Sequence, residues 1–185
     1  MIKSLISVFI VISFVATSQA SPIPPAPNLN VKAYVVMDFD SKMILASSNK
    51  DLTLPPASIT KMMTAYVAFT ELKEKNISLD EEILVSKKAW KTGGSKMFIE
   101  VGKRVKVRDI LQGVITVSGN DASVALAEHI SGDEKTFSTY MNQMATNLGL
   151  SNTNYTNATG LPSDSLYTTA EDISCLLYTS DAADE

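Results

Sequence analysis

The order of apolar and polar residues predicts a β-hairpin near the start of the chain. Val31–Met37 is largely apolar and β-prone, residues 38–42 contain turn-forming side chains, and Met43–Ala46 is apolar again. This alternation is typical of two antiparallel strands joined by a tight turn. Residues 54–57, which contain two consecutive prolines, then end the hairpin region.

The order of apolar and polar residues predicts that the rest of the chain is mainly helical. Ser58 has the side chain preferred at a helix N-cap, and an almost wholly apolar segment follows it, which indicates a buried central helix. The polar segment 151–166, rich in Asn, Ser and Thr, predicts a long surface loop. The predicted helices are Ile59–Lys73, Val107–Thr116, Ala122–Ile130 and Asp133–Leu148, the last ended by Gly149.

These elements predict an α/β (α+β) domain in which an antiparallel sheet packs with helices. Two strands alone make a poor sheet. We therefore expect further strands from sequence beyond residue 185, so that the fold is incomplete at its C-terminal end.

The first twenty residues have the pattern of an export signal. Lys3 precedes an apolar run, and small residues stand at Ser18 and Ala20, which predicts a signal peptide that is cleaved after Ala20 and directs export. The alternative is a membrane anchor, but the run is shorter than the ~20 apolar residues that span a bilayer.

Composition excludes several classes of function. The net charge is −4 and the pI is near 5.1, without a basic stripe, so we expect no nucleic-acid partner. The single His129 and the single Cys175 cannot form a multi-histidine or cysteine-based metal site, and no disulfide can form within the chain. We predict neither a metal nor a cofactor.

Ser58 and Lys61 are the first candidates for chemistry. Residues three apart lie on one face of a helix, so the Lys61 amine can reach the Ser58 hydroxyl, as a base must reach its nucleophile. The alternative is that Ser58 only caps the helix and Lys61 is a surface lysine. The apolar helix and the positive end of its dipole both favour a lowered pKa for Lys61.

The size of that pKa change indicates its cause. Lowering a lysine pKa from about 10.4 to about 7 takes roughly 4.6 kcal/mol, whereas the helix dipole supplies only ~0.3–1 kcal/mol. Desolvation or a second cation must therefore provide most of the change in Lys61.

A second candidate group is Ser118-Gly119-Asn120, between two apolar helices. It places a hydroxyl and an amide where they could face a cleft. Taken alone, the same residues are equally consistent with a turn that ends one helix and caps the next.

Together the two motifs resemble those of the serine penicillin-binding proteins, and in particular the low-molecular-mass D-alanyl-D-alanine carboxypeptidases of peptidase family S11. The resemblance extends from about Pro25 to Ile173. It includes Pro56-Ala57-Ser58-Ile59-Thr60-Lys61, Ser118-Gly119-Asn120-Asp121-Ala122, Lys32-Ala33-Tyr34, Gly93-Gly94-Ser95-Lys96-Met97-Phe98 and Asn157-Ala158-Thr159-Gly160-Leu161.

The resemblance implies a β-lactamase/transpeptidase-like fold and an acyl-serine mechanism. It makes Ser58 the nucleophile, Lys61 its base, Ser118 a proton relay to the leaving D-alanine, and Asn120 a ligand of the substrate backbone. The backbone N–H of Ser58 would form half of the oxyanion hole. The implied partners are peptidoglycan pentapeptides and β-lactam inhibitors.

The family's third motif, a downstream Lys-Thr-Gly strand, is not found after Ser118. Lys91-Thr92-Gly93 has the same letters but precedes Ser118, and we do not assign it that role. We interpret residues 21–173 as the N-terminal part of the catalytic domain, and 174–185 as an aberrant tail that does not follow the family pattern. Peripheral membrane association through a missing C-terminal segment is a further expectation.

Three alternatives stay open. The chain of 185 residues could by itself be an inactive fragment or a non-catalytic penicilloyl-binding protein. It could also be a class A-type β-lactamase, although that class usually has Asp where this chain has Gly119, and no Glu-x-x-Leu-Asn segment is evident downstream.

Overall fold

The computed structural model of the protein describes residue 26 and residues 28–181. The predicted export signal, 1–20, lies outside the described residues. Within them, no helix combines the length and the apolar character needed to cross a lipid bilayer.

The predicted hairpin is present and starts three residues later than expected. Strands β1 (Tyr34–Met37) and β2 (Ile44–Ser48) pair antiparallel, with Tyr34 opposite Ser48 and an irregularity between Val36 and Met37. The turn is closed by Asp38, whose carboxylate accepts hydrogen bonds from the backbone N–H and the hydroxyl of Ser41. A short polar side chain that bonds to the backbone just ahead of it is a common way to fix such a turn.

The central helix is α1 (Thr60–Lys73), and it follows a single 3-10 turn at Ala57–Ile59. The prediction that Ser58 caps this helix is wrong, because Ile59 holds the cap position and no side chain there accepts a hydrogen bond. The helix is also not buried on every side, since Phe69 is 49% exposed. Its uncovered apolar face lines a cleft. The apolar residues that suggested complete burial are therefore divided between the core and the wall of this cleft.

A second hairpin and a short helix lie between α1 and the next predicted helix. Strands β3 (Glu82–Leu84) and β4 (Arg104–Lys106) pair antiparallel as a separate two-stranded sheet, and α2 (Lys87–Lys91) lies between them along the chain. Ser86 caps α2 by accepting a hydrogen bond from the Ala89 N–H at 3.0 Å.

Two consecutive helices flank the Ser118 motif. Helix α3 (Val107–Thr116) has the predicted bounds, and α4 (Asn120–Ser131) begins two residues before the predicted Ala122. The earlier start makes Asn120 the first residue of a helix rather than part of the turn. The turn between the two helices is therefore confined to 117–119.

Helices α5 (Glu134–Asn147) and α6 (Ala170–Asp181) complete the described chain. Asp133 caps α5 through the Thr136 N–H at 2.9 Å, and Gly149, with φ of +76°, follows its end as predicted. The segment between the two helices is not the surface loop that we expected. Its Tyr155 and Ala158 are fully or almost fully buried, and single bridges join the segment and the residues after it to Leu54 and to each other.

The core consists of two apolar clusters on either side of α1 and α4. One joins α3 and α4 to the β3–β4 hairpin, with Ile83, Val107 and Ile110 among its fully buried members. The other joins α1, α5, α6 and the 150–166 segment, with Phe137 and Met141 among its fully buried members. Because α1 contributes to both clusters, it is held from two directions.

Candidate active site

Ser58 lines a large cleft of the described structure. The cleft has a volume of about 1290 Å³ and is bounded by the first hairpin, α1, α3 and α6. Ser58 belongs to the 3-10 turn before α1, and it is exposed. The preceding residue, Ala57, has a φ of +47°, a left-handed conformation that is costly for a residue with a Cβ. Such strain is often kept where a side chain must be aimed at a ligand.

Lys61 faces the same cleft from the first turn of α1 but is only 5% exposed. Its Nζ donates a hydrogen bond to the carbonyl oxygen of Thr159 at 2.8 Å. Burial lowers the pKa of Lys61 below its ordinary value, because the charged form loses hydration. The prediction of a desolvated lysine is confirmed, and the alternative of a surface lysine is excluded.

The segment 157–161 packs directly against the turn that carries Ser58. Gly160 lies so close that a Cβ added there would be 1.8 Å from the Ala57 carbonyl oxygen. One turn further along α1, the Thr64 hydroxyl donates to the Ala158 carbonyl at 2.8 Å. Thr159 and Gly160 had no role predicted from their sequence, although both lie in a segment that resembles the family.

Ser118 is the third predicted residue that lines the cleft, together with Ser58 and Lys61. It too has a left-handed backbone, with φ of +53°. The structure therefore brings Ser58, Lys61 and Ser118 to one cleft, as the two motifs predicted.

Asn120 is placed behind this group and does not line the cleft. It is 6% exposed, and its side-chain amide donates to the Gly93 carbonyl at 2.7 Å while its own N–H donates to the Ser95 carbonyl at 2.7 Å. Gly94 packs against the same amide, since a Cβ there would lie 2.5 Å from Asn120 Nδ2. The Gly-Gly-Ser segment thus wraps around Asn120.

Asp121 ties that segment to α4 with a single buried carboxylate. Its Oδ1 accepts from the N–H groups of Met97 and Ala122, each at 2.9 Å, and its Oδ2 accepts from Phe98 and Ile99 at 2.9 and 3.2 Å. These bonds hold residues 97–99 against the start of α4. This role was missed because Asp121 was named from the sequence only within the segment that resembles the family.

Lys91-Thr92-Gly93 occupies the end of α2 and the residues after it, not a strand. Its Gly93 is the acceptor for Asn120, so the tripeptide supports the Ser118 motif from behind. Among the described residues, no cluster of three or more His, Cys, Asp or Glu side chains is placed to hold a metal ion.

A hydroxyl and a buried amine with a lowered pKa that line one cleft are groups that can serve as nucleophile and base in serine acyl transfer. A second hydroxyl lining the same cleft can pass a proton to or from a group bound there. The cleft therefore combines the functional groups that serine acyl transfer with a lysine base would use.

Comparison with known proteins identifies the family. Residues 18–183 match the family model of peptidase S11, described as D-alanyl-D-alanine carboxypeptidase. The chain belongs to this family, which confirms the resemblance drawn from its motifs.

Individual relatives agree in sequence and in fold. The chain is 41% identical over 157 residues to the D-alanyl-D-alanine carboxypeptidase DacC of Escherichia coli K12, covering 82% of this chain and 39% of that protein. It matches the crystal structure of the carboxypeptidase DacD from Francisella tularensis with a TM-score of 0.83 and 42% identity, over 87% of this chain and 39% of that one. Penicillin binding protein 5 from Haemophilus influenzae gives a TM-score of 0.84 and 40% identity, over 86% and 47%.

These matches confirm the β-lactamase/transpeptidase-like fold predicted from the motifs. The chain spans only part of the length of the curated relatives that it matches, 39% for the Escherichia coli protein.

Proposed function

We propose that the protein is a serine-type D-Ala-D-Ala carboxypeptidase that removes the terminal D-alanine from peptidoglycan pentapeptides and is acylated by penicillin. Family membership supports the reaction class. The observation that carries the assignment to these residues is the buried Lys61 amine, which lines the same cleft as the Ser58 hydroxyl.

In the proposed first step, Ser58 Oγ attacks the carbonyl carbon of the penultimate D-alanine, and its proton passes to Lys61 Nζ. The C–N bond then breaks, the leaving amine gains a proton through Ser118, and D-alanine departs. An ester joins Ser58 to the remaining peptide. Water hydrolyses this ester in the second step, which restores the Ser58 hydroxyl and releases a shortened peptide with a new carboxyl group.

Asn120 is proposed to bind the peptide backbone of the substrate. One N–H of its side-chain amide donates to Gly93 in the described structure, which leaves the second N–H and the side-chain oxygen for the substrate. The backbone N–H of Ser58 is proposed as one donor to the oxyanion, where a correctly placed donor is worth about 10²–10³ in rate.

The export signal predicted from the sequence supports the choice of substrate, because peptidoglycan lies outside the cytoplasmic membrane. We propose that residues 1–20 direct the protein to the periplasm and are cleaved after Ala20, on the strength of their charged, apolar and small-residue order. Peripheral membrane association stays a prediction.

The test is covalent labelling of the intact protein with a fluorescent penicillin, followed by peptide mapping. We expect the label on Ser58, its loss in Ser58→Ala, and D-alanine release from a pentapeptide by the unmodified protein. A label that stays bound for many minutes fits a carboxypeptidase, whereas rapid turnover of the adduct would show a β-lactamase. Failure to label Ser58 at all would refute the proposal.

A further inference from the structure

A tight turn at residues 157–161 contacts the backbone next to Ser58 and the amine of Lys61. Thr159 presents its carbonyl oxygen to Lys61 Nζ at 2.8 Å. The next residue, Gly160, has φ of +83° and rests on the Ala57 carbonyl. The position of this turn therefore affects both Ser58 and Lys61.

The side chain of Asn157 holds the turn in this shape. Its Oδ1 accepts from the Thr159 N–H at 3.1 Å, the Thr159 hydroxyl at 2.9 Å and the Gly160 N–H at 2.7 Å, and its Nδ2 donates to the Leu161 carbonyl at 3.0 Å. An Asn that accepts from the backbone two and three residues ahead replaces a backbone turn with its own side chain. One amide group thus fixes every residue from 159 to 161.

The shape of the turn controls the environment of the lysine in two ways. First, the Thr159 peptide is oriented because its N–H and hydroxyl bind Asn157, so its carbonyl points towards Lys61. Second, the packed turn shields the Lys61 amine from water. A neutral amine that donates one N–H to a fixed acceptor has its lone pair restricted to fewer directions, which favours proton transfer from a hydroxyl placed along one of them.

We propose that Asn157 is a positioning residue for acyl transfer, which holds the Thr159 carbonyl against Lys61 and keeps the lysine dry near Ser58. This inference rests on the proposed function, in which Lys61 is the base. Asn157 itself does not line the cleft, so it acts through the turn and not by contact with substrate.

The test is the pH dependence of acylation of the intact protein by a fluorescent penicillin, from about pH 6 to about pH 10. In the unmodified protein the rate constant rises with pH as Lys61 loses its proton. In Asn157→Ala the loosened turn admits water to the amine, so we expect the midpoint to move up by about one pH unit and the rate near neutral pH to fall about tenfold. A purely structural role would lower the rate at every pH and leave the midpoint in place.

Two further variants make the result decisive. Asn157→Ser keeps an uncharged oxygen that can accept from the N–H two residues on, so it should return the midpoint towards that of the unmodified protein. Asn142→Ala is the matched control, because Asn142 pins the same segment by two bonds to the backbone of Tyr155, at 2.8 and 2.7 Å, without contacting Lys61. It should lower stability without moving the midpoint.

The outcomes separate the two hypotheses. If the unmodified protein is not labelled at Ser58, the proposed function fails. If it is labelled but Asn157→Ala keeps the original midpoint, or Asn142→Ala moves it equally, the positioning role is refuted while the proposed function stands.

Discussion

Gly160→Ala should damage both stability and acylation, because the new methyl group has no space. Its Cβ would lie 1.8 Å from the carbonyl oxygen and 2.4 Å from the carbonyl carbon of Ala57, and 3.0 Å from Thr60 Oγ1. The first two are main-chain atoms and cannot rotate aside. Relief of the clash must therefore displace either the turn or the backbone that carries Ser58.

The expected loss of stability has two parts. A side chain in the left-handed conformation at φ of +83° costs ~1–2 kcal/mol, and forcing extra volume into a packed site costs a further ~1–3 kcal/mol. The free energy of unfolding should fall by ~2–5 kcal/mol. A misplacement of the nucleophile by about 1 Å can reduce a rate by about 10²-fold, so we expect acylation by penicillin to slow by about that factor.

Gly132→Ala provides the matched control. Gly132 has φ of +82°, but nothing lies within 4 Å of the Cβ that the substitution would add. It should lose only the ~1–2 kcal/mol of conformational strain and keep its acylation rate. Urea unfolding and labelling kinetics on the two variants measure the difference. Equal stabilities and equal rates would show that Gly160 does not contact the turn of Ser58.

Further substitutions test the buried polar groups by urea unfolding. Asp121→Asn places an amide against backbone N–H donors and should cost ~2–3 kcal/mol, whereas the exposed Asp109→Asn should change stability by at most ~0.5 kcal/mol. Burial lowers the pKa of Lys61 from 10.5 in the folded chain. At pH values between this lowered pKa and 10.5, the lysine is therefore mostly protonated in the unfolded chain and mostly neutral in the folded chain. Stability should therefore rise with pH inside that window by up to ~1.4 kcal/mol for each pH unit, and this rise should disappear in Lys61→Met. Tyr155→Phe should raise stability by ~1 kcal/mol, because its buried hydroxyl has no hydrogen-bond partner among the described residues. Tyr140→Phe should lower stability by a similar amount, because its hydroxyl donates to a glutamate of α1.

Results in the opposite direction would contradict these assignments individually. A stability for Asp121→Asn equal to that of Asp109→Asn would refute the four-bond role of the carboxylate. A pH slope that persists in Lys61→Met would place the titrating group elsewhere. Loss of stability in Tyr155→Phe would show that the Tyr155 hydroxyl forms a stabilising hydrogen bond.

Sequence patterns predicted the long amphipathic elements best. Helix α3 has its predicted bounds because its apolar residues follow the helical period over the whole element and a polar motif ends it. Strands β3 and β4 were not predicted. Each has three residues, too few to show an alternation, and they are stabilised by the partner strand rather than by local preference.

The polar segment 151–166 shows where composition misleads. Asn and Thr are common in exposed loops, so the segment was expected at the surface. In the structure these side chains bond to one another and to nearby backbone, as Asn157 does with Thr159, which allows the segment to pack against α1. These internal hydrogen bonds depend on the three-dimensional shape of the turn, so they leave no periodic pattern in the sequence.

The site itself was predicted through its side chains, and its supports were not. Ser58, Lys61 and Ser118 were found because the chemistry needs their functional groups at a characteristic spacing. Some supports act through main-chain atoms, such as the Thr159 carbonyl, and any residue type can supply those. Others need a particular residue, such as Gly160 at its close contact or Asn157 in its turn, but a lone glycine or asparagine has many explanations in a sequence.

The acceptor of the Lys61 amine belongs to the polypeptide backbone, and this limits how the protein can vary. No single amino-acid replacement can delete a carbonyl, so genetic change can shift the acceptor by reshaping its neighbours but cannot remove it. Under the proposed function, substitutions in the residues that shape this turn should therefore change the rate of acylation by degrees, without abolishing the acceptor.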